Sequence, residues 1–419
     1  MKEKLLLVSP PENGFLQGTV LLPSSKSISN RVLIIRELCR TSFPIENLSH
    51  ADDTQILLQA LAIAKSTQRA IDVGHAGTAM RFLTAYLATC DNHFVLTGSE
   101  RMKKRPIGAL VNALNSLGAK IDFLGEPGYP PLKIKGQKLK GGKITIDSGT
   151  SSQFISALLL IAPRFEKGLE LTLTGIPVSS SYIKMTLSLM AYFGVESRWE
   201  GSTILIFPGQ YLNLPITIES DWSGASYFYS ALMLARGGEI FFPGLSPKSL
   251  QGDETLYRWF DELGVSTRFT SDGAIASKAG QSPDFFKIDF TDTPDMAQTM
   301  CMAFAASNLQ AEFSGLITLP LKETDRINAL QTEIIKLGYK LLHSGSGVWQ
   351  LKKTQSNAII NDLCFDTHND HRMAMACAPL ALKYGQIAIR NPDVVKKSFP
   401  DFWENIAKVG FKTEFQPIL

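Results

Sequence analysis

One pattern constrains this chain more than any other: it repeats. Helix-like segments ending in a hydrophobic residue, a glycine and a strand-like residue occur at LNSLGAKI (Gly118), LMAYFGVES (Gly194), DELGVST (Gly264), IIKLGYKL (Gly338) and IAKVGFKT (Gly410). The intervals are 76, 70, 74 and 72 residues. A glycine just past a helix end supplies the left-handed conformation that closes it. In the first of these helices Ile107, Leu110, Val111, Leu114 and Leu117 line one face, and Pro106 suits its first turn. DDTQILLQALAIAK (52–65) reads as a degenerate earlier copy without the glycine.

A second series lies between these helices. Polar turns of small residues open six apolar helices: SSKSISNRVLII from Ser24, HAGTAMRFLTAYLA from His75, SGTSSQFISALLL from Ser148, SDWSGASYFYSALML from Ser220, TPDMAQTMCMAFAA from Thr293 and HNDHRMAMACAPLAL from His368. Strand-like runs accompany them at VLL (20–22), FVLTG (94–98), KITID (143–147), LELTLTG (169–175), TILIF (203–207), PITIE (215–219), EIFF (239–242), VWQLKK (348–353) and QIAIR (386–390). Strands alternating with helices predict an α/β fold. Units of roughly 70 residues are too long for a solenoid of small repeats. Six of them predict two similar domains of three units, joined near residue 220.

Composition bounds the class. With 44% hydrophobic and 19% charged residues the chain is an ordinary globular one, not a disordered one. Its 42 Lys and Arg against 39 Asp and Glu leave a net charge of +3, which argues against a surface built throughout to grip nucleic acid or an anionic membrane. Met-Lys-Glu-Lys followed by Leu5, Leu6, Leu7 and Val8 is too short an apolar run for a signal peptide; ended by Pro10 and Pro11, it reads as a first strand. No stretch reaches the ~18 apolar residues of a membrane span. Cys39, Cys90, Cys301, Cys364 and Cys377 are odd in number and form no CxxC pair, which predicts free thiols in a reducing cytoplasm.

Helix starts bind anions through free N–H groups and the positive dipole end. Here they also carry cations and hydroxyls: Lys26, Ser27 and Arg31 at the first, Thr78 and Arg81 at the second, Ser151, Ser152 and Gln153 at the third, His371 and Arg372 at the sixth. Arg101, Lys103, Lys104, Arg105, Lys322, Arg326, Lys396 and Lys397 sit near the other helices. A single Lys or Arg of this kind is usually a solvated charge, and a single Ser an ordinary cap; recurrence points to a small, multiply charged ligand. RMKKR (101–105) has no interleaved aromatics, so a base-stacking platform is not expected. Asp295, Glu323 and Asp325 lie among the cations, where an acid is either half of an ion pair or a general acid/base. His368 and His371 have i,i+3 spacing without a third ligand series, so no metal is predicted. Walker A, GxGxxG and GxSxG patterns are missing from the sequence.

These motifs resemble those of the 5-enolpyruvylshikimate-3-phosphate synthases, the 3-phosphoshikimate 1-carboxyvinyltransferases. The resemblance runs nearly end to end: LPSSKSISNR (22–31), HAGTAMR (75–81), LTGSERMKKRPI (96–107), SSQFISALLL (151–160), SDWSGASYF (220–228), PDMAQ (294–298), LKETDR (321–326), NDHRMAM (369–375) and KSFPDFW (397–403). It implies the enolpyruvyl transferase fold, an inside-out α/β barrel. In that fold two domains each hold three βαβαββ units around parallel helices, with six helix starts facing an interdomain cleft. The domains would be 22–220, mainly on the shikimate 3-phosphate side, and 1–21 plus 221–419, mainly on the phosphoenolpyruvate side. Domain closure on shikimate 3-phosphate is expected, because like-charged helix starts repel in an empty cleft.

The implied reaction is enolpyruvyl transfer from phosphoenolpyruvate to the 5-hydroxyl of shikimate 3-phosphate with loss of phosphate. It needs an acid, a base and stabilisation of several negative charges, with no metal or redox cofactor. By motif, Ser27, Arg31, Ser151, Ser152, Gln153, Ser179, Tyr182 and Lys322 resemble the shikimate 3-phosphate contacts, to which Asp295 and Thr318 are added. Lys26, Gly77, Arg105, Gln153, Arg326, Arg372 and Lys397 resemble the phosphoenolpyruvate clamp. Asp295 and Glu323 resemble the proton-transfer carboxylates, with Lys26 as an acid partner; His371 and Asp221 would lie nearby. A likeness of this kind implies a cytoplasmic monomer acting on two small phosphorylated acids, without nucleic acid or membrane.

Four positions depart from the usual pattern. His75 replaces Asn and Phe82 replaces Pro, one turn from Gly77 and Thr78. Thr318 stands where an Asn often contacts the shikimate phosphate; its hydroxyl can donate but reaches less far. Trp222 puts a bulky ring where Ala is commoner, expected near the cleft. The rival enolpyruvyl transferases acting on UDP-N-acetylglucosamine usually carry a loop cysteine that RMKKRP lacks. A non-catalytic anion-binding module would not need Asp295, Glu323 and Lys26 together.

Overall fold

A helix that is apolar on every side has to be enclosed, and the six helix starts launch helices of that kind. In the computed structural model, which describes residues 4–149, 151–175, 177–354 and 362–417, they are Lys26–Leu38, Gly77–Ala88, Ser152–Ile161, Trp222–Leu234, Ala297–Ala306 and His371–Cys377. All of Ala297–Ala306 is buried, as is all of Gly77–Ala88 except Thr78. The amphipathic series forms Asp52–Lys65, Gly108–Ser116, Ser180–Tyr192, Leu256–Glu262, Arg326–Ile334 and Phe402–Lys408. The glycine that follows each of the last five has positive φ, from 75° at Gly338 to 113° at Gly410.

The chain divides into two compact units, residues 24–218 and residues 1–23 with 219–419, each with its own apolar core. In the 24–218 unit the three apolar helices pack on one another, and each amphipathic helix wedges between two of them. Two four-stranded sheets lie outside, in the orders Ala70–Asp72, His93–Thr97, Leu132–Lys135, Lys120–Phe123 and Gly142–Asp147, Leu169–Thr174, Thr203–Ile206, Ser197–Glu200. The first two strands of each are parallel and joined through an apolar helix, since parallel neighbours need a crossover; the rest pair antiparallel. The remaining repeat has only a parallel pair, Ile45–Glu46 with Ile216–Thr217.

The other unit packs Trp222–Leu234, Ala297–Ala306 and His371–Cys377 on one another. One sheet, Phe285–Asp289, Gln310–Ser314, Val348–Lys353, Tyr339–Gly345, is local in sequence. The N-terminal segment completes the other two. Lys4–Ser9 inserts between Ile387–Arg390 and Lys412–Pro417, with Leu6 opposite both Ile389 and Phe415. Phe15–Thr19 runs parallel to Gly237–Pro243. The first three residues of the expected 1–21 segment, Met1 to Glu3, lie outside the described residues.

A third recurrence was not recognised in the sequence. Ile71-Asp72, Ile146-Asp147, Ile288-Asp289 and Phe365-Asp366 each end the first strand of a repeat. Each aspartate Oδ1 accepts the N–H two residues on, from Gly74, Gly149, Thr291 and His368 at 2.6–2.9 Å. These turns aim the chain from strand end to helix start. Two local expectations fail. Residues 20–22 are not a strand; the strand is Phe15–Thr19, and Val20 only bonds onward to the Phe241 carbonyl. Pro106 precedes the helix Gly108–Ser116 instead of entering it, although Ile107, Leu110, Val111, Leu114 and Leu117 are all buried as expected. All five cysteines are free thiols. Among the described residues no helix is long and apolar enough to cross a membrane.

Candidate active site

In the 24–218 unit the helix starts gather cations that meet few carboxylates. Lys26 opens its helix and its Nζ lies 3.1 Å from Asp53 Oδ2, at the start of Asp52–Lys65. One turn on, Arg31 is 2% exposed. Its Nε donates to Thr186 Oγ1 at 2.7 Å, and its terminal nitrogens donate to the Ser27 carbonyl (2.8 Å), Ser156 Oγ (3.1 Å) and the Tyr182 carbonyl (3.3 Å). The Phe82 and Tyr182 rings lie beside it, with centroids at 5.4 and 5.8 Å. Burial draws the guanidinium down to about 10, against the opposing pull of the Tyr182 phenol. The unusual Phe82 is therefore part of the wall that holds Arg31.

Arg105 is also buried, packed on the start of Gly77–Ala88. A Cβ on Gly77 would come within 2.6 Å of its Nη1, so the bare backbone there is what admits the guanidinium. Arg81 braces this loop by donating to the Gly77 carbonyl (3.1 Å) and the Pro106 carbonyl (3.3 Å). Among the described residues neither Arg31 nor Arg105 has a carboxylate within ion-pair distance. Buried cations normally have one, so both are suited to an anionic ligand. Ser151 caps Ser152–Ile161 by accepting the Gln153 N–H, and Gln153 Nε2 reaches Thr78 Oγ1 at 3.2 Å, tying two helix starts together. Ser179, with φ 58°, precedes the helix that carries Tyr182. Ser27 is half-buried, Ser152 is buried and His75 is exposed.

The other unit holds a string in which cations and carboxylates alternate. Lys397 Nζ lies 3.0 Å from Glu323 Oε1, and Glu323 Oε2 lies 2.9 Å from an Arg326 Nη. The second Nη of Arg326 lies 2.9 Å from Asp295 Oδ1, and Asp295 Oδ2 lies 2.8 Å from Arg372. Arg326 Nε makes a third bond, 2.7 Å to Asp370 Oδ2. Asp370 caps His371–Cys377, with Oδ1 accepting the Arg372 N–H at 2.9 Å and lying 3.5 Å from His371 Nδ1. Burial disfavours the charges of Asp295 and Arg326. Arg372, Lys322 and Arg326 nevertheless hold Asp295 well below the usual carboxylate range, and Asp370, Glu323 and Asp295 raise Arg326. Thr318 is buried, and its hydroxyl has no protein partner among the described residues. Asp221 caps Trp222–Leu234.

Four contributors escaped the sequence reading: Asp53, Asp370, Tyr227, whose hydroxyl is 3.4 Å from Arg372, and Asp253. Burial and the charge of Asp295 push the Asp253 carboxyl up to about 7, while it bonds Ser223 Oγ. Asp53 and Asp370 carried a signal, an acid at a helix start; Tyr227 and Asp253 reach the site only through packing. The Trp222 ring is fully buried beside Tyr257 and Phe269, and its indole N–H donates to the Ser246 carbonyl at 3.1 Å. His368 turns to Glu333, and among the described residues no cluster of three His, Cys, Asp or Glu could hold a metal.

A profile of the family described as EPSP synthase (3-phosphoshikimate 1-carboxyvinyltransferase) matches residues 61–406. A 3-phosphoshikimate 1-carboxyvinyltransferase from Bacteroides fragilis strain YCH46 is 45% identical over 97% of this chain and 98% of its own. One from Methanoculleus marisnigri is 33% identical over 97% and 100%. Among solved structures, an EPSP synthase from Acinetobacter baumannii superposes with a TM-score of 0.77 at 23% identity, covering 98% of this chain and all of that one. This last likeness speaks for the fold alone.

Proposed function

This chain belongs to the EPSP synthase family, and from that premise we propose how its residues divide the work. The reaction transfers the enolpyruvyl group of phosphoenolpyruvate to the 5-hydroxyl of shikimate 3-phosphate, giving 5-enolpyruvylshikimate 3-phosphate and phosphate on the route to chorismate and the aromatic amino acids. In our reading the 24–218 unit mainly serves shikimate 3-phosphate and the other mainly phosphoenolpyruvate.

Ser27, Arg31, Ser151, Ser152, Gln153, Ser179 and Tyr182 hold shikimate 3-phosphate, with Asp295, Thr318 and Lys322. Arg31 and Arg105, buried cations with no carboxylate at ion-pair distance among the described residues, support anion binding in this unit. Arg105 joins Lys26, Gly77, Gln153, Arg326, Arg372 and Lys397 in holding phosphoenolpyruvate. Neutralising both substrates lets two like-charged molecules meet.

The chemistry adds a proton to the methylene carbon of phosphoenolpyruvate while the 5-hydroxyl oxygen bonds to the neighbouring carbon and gives up its own proton. The tetrahedral adduct then loses a proton from the new methyl group and expels phosphate. Asp295 stays ionised between Arg326 and Arg372, which suits a base for the hydroxyl. Glu323 sits between Lys397 and Arg326. From that position Glu323 can carry the proton to and from carbon. Lys26 is its acid partner.

The string from Lys397 to Arg372 carries this reading, because it puts two carboxylates into the midst of the anion-binding cations. Phosphate release with both substrates tests it, with UDP-N-acetylglucosamine as the alternative acceptor. Release only with shikimate 3-phosphate is expected; none with that pair would overturn the assignment. The free cysteines support a reducing, cytoplasmic setting, and we read the enzyme as a monomer.

A further inference from the structure

Glu333 is fully buried and has no part in the reaction described above. Its Oε1 lies 2.8 Å from His368 Nε2. Its Oε2 accepts from Lys336 Nζ at 2.6 Å and from the Asp366 N–H at 3.2 Å. Glu333 stands two turns beyond Arg326 on the helix Arg326–Ile334, and Arg326 at the start of that helix bonds Asp370. One helix thus grips the 366–370 loop at two points.

The gripped loop is backbone that would not hold this shape unaided. His368 and Asn369 have φ of 50° and 57°, two consecutive non-glycine residues in the left-handed region. Local strain of this kind persists where its surroundings over-determine it, and is often tied to function. Here it delivers Asp370 as the cap of His371–Cys377, touching Arg326 through one oxygen and the Arg372 N–H through the other.

We propose that Glu333 and His368 are positioning residues: the bond between them fixes the loop that sets Asp370, and through it the two arginines that take phosphoenolpyruvate. The proposal rests on assigning Arg326 and Arg372 to that substrate. Around metal centres, groups that orient the ligating side chains change affinity or activity by about ten- to a hundredfold when removed, and the lower end of that range is the effect expected here.

Steady-state kinetics and thermal unfolding of His368→Ala and His368→Gln test it, with Arg326→Lys as reference. His368→Ala should raise the KM for phosphoenolpyruvate about tenfold and leave that for shikimate 3-phosphate within about twofold. His368→Gln, whose amide can donate to Glu333, should recover most of the loss. Glu333→Asp, a carboxylate shorter by one methylene, gives the same reading should His368→Ala not fold. If both KM values move together, or neither moves while only thermal stability falls, the strut is merely structural and the proposal is overturned. If Arg326→Lys leaves the KM for phosphoenolpyruvate unchanged, the clamp assignment has failed and the strut with it. If Arg326→Lys raises that KM and His368→Ala does not, the strut alone is wrong.

Discussion

The Arg31 guanidinium lies 5.4 Å from the centre of the Phe82 ring, in a core where among the described residues it has no carboxylate partner. A desolvated cation over an aromatic face gains about 2 kcal/mol. Phe82→Leu keeps an apolar side chain and removes that face. It should raise the KM for shikimate 3-phosphate by up to about thirtyfold while the KM for phosphoenolpyruvate stays put. An unchanged shikimate 3-phosphate KM would show that the ring only fills space.

Gly77 leaves the Arg105 guanidinium room that a methyl group would take. Gly77→Ala puts a carbon 2.6 Å from Nη1, and the flexible tip of the arginine has to swing aside. Losing one charge-assisted contact costs about 1.5–3 kcal/mol. The expected result is a KM for phosphoenolpyruvate raised about tenfold or more, with little change in the unfolding midpoint. A large fall in stability at unchanged KM would contradict this view of Arg105.

Asp295→Asn and Glu323→Gln keep size and remove charge. Proton transfer by a positioned group is worth about 10²- to 10⁴-fold, so turnover should fall by that order in each. Substrate affinity should change far less, because both changes release cations instead of removing them. Near-normal turnover in both variants would remove these carboxylates from the proton transfers.

Much of the fold was legible because its signals are local. Apolar helices, their polar starts and the closing glycines such as Gly194 can be read from adjacent residues. The first strand, Lys4–Ser9, was legible in its apolar run, but Phe15–Thr19 was not: it takes its meaning from Gly237–Pro243, over two hundred residues away. The site divides likewise. Arg326 and Arg372 stand in short motifs, whereas Tyr227 and Asp253 read as ordinary core and loop residues until packing brings them to Arg372 or the field of Asp295. The four Ile-Asp or Phe-Asp strand ends, by contrast, were there to be seen at the repeat spacing.

Asp253 gives the enzyme a pH signature. Its folded carboxyl titrates at about 7, against about 3.9 for an unfolded aspartate. The folded state therefore holds a proton that the unfolded state has lost between those values, and stability from this group falls as pH rises through that window. Asp295 has the opposite sign: its contribution is complete above about 3.9 and is lost only in stronger acid. Asp253→Asn should therefore gain stability relative to the parent between pH 5 and pH 8, on the order of 3 kcal/mol. Denaturant midpoints at the two pH values measure it, and parallel behaviour of the two proteins would exclude a raised Asp253.

The chain joins two anions, phosphoenolpyruvate and shikimate 3-phosphate, and expels phosphate. Phosphate release measured with each substrate alone, with the pair, and with UDP-N-acetylglucosamine replacing the shikimate tests it most directly. Release is expected with the pair only, at a rate that collapses in Asp295→Asn. Release with UDP-N-acetylglucosamine, or none with the pair, would contradict it.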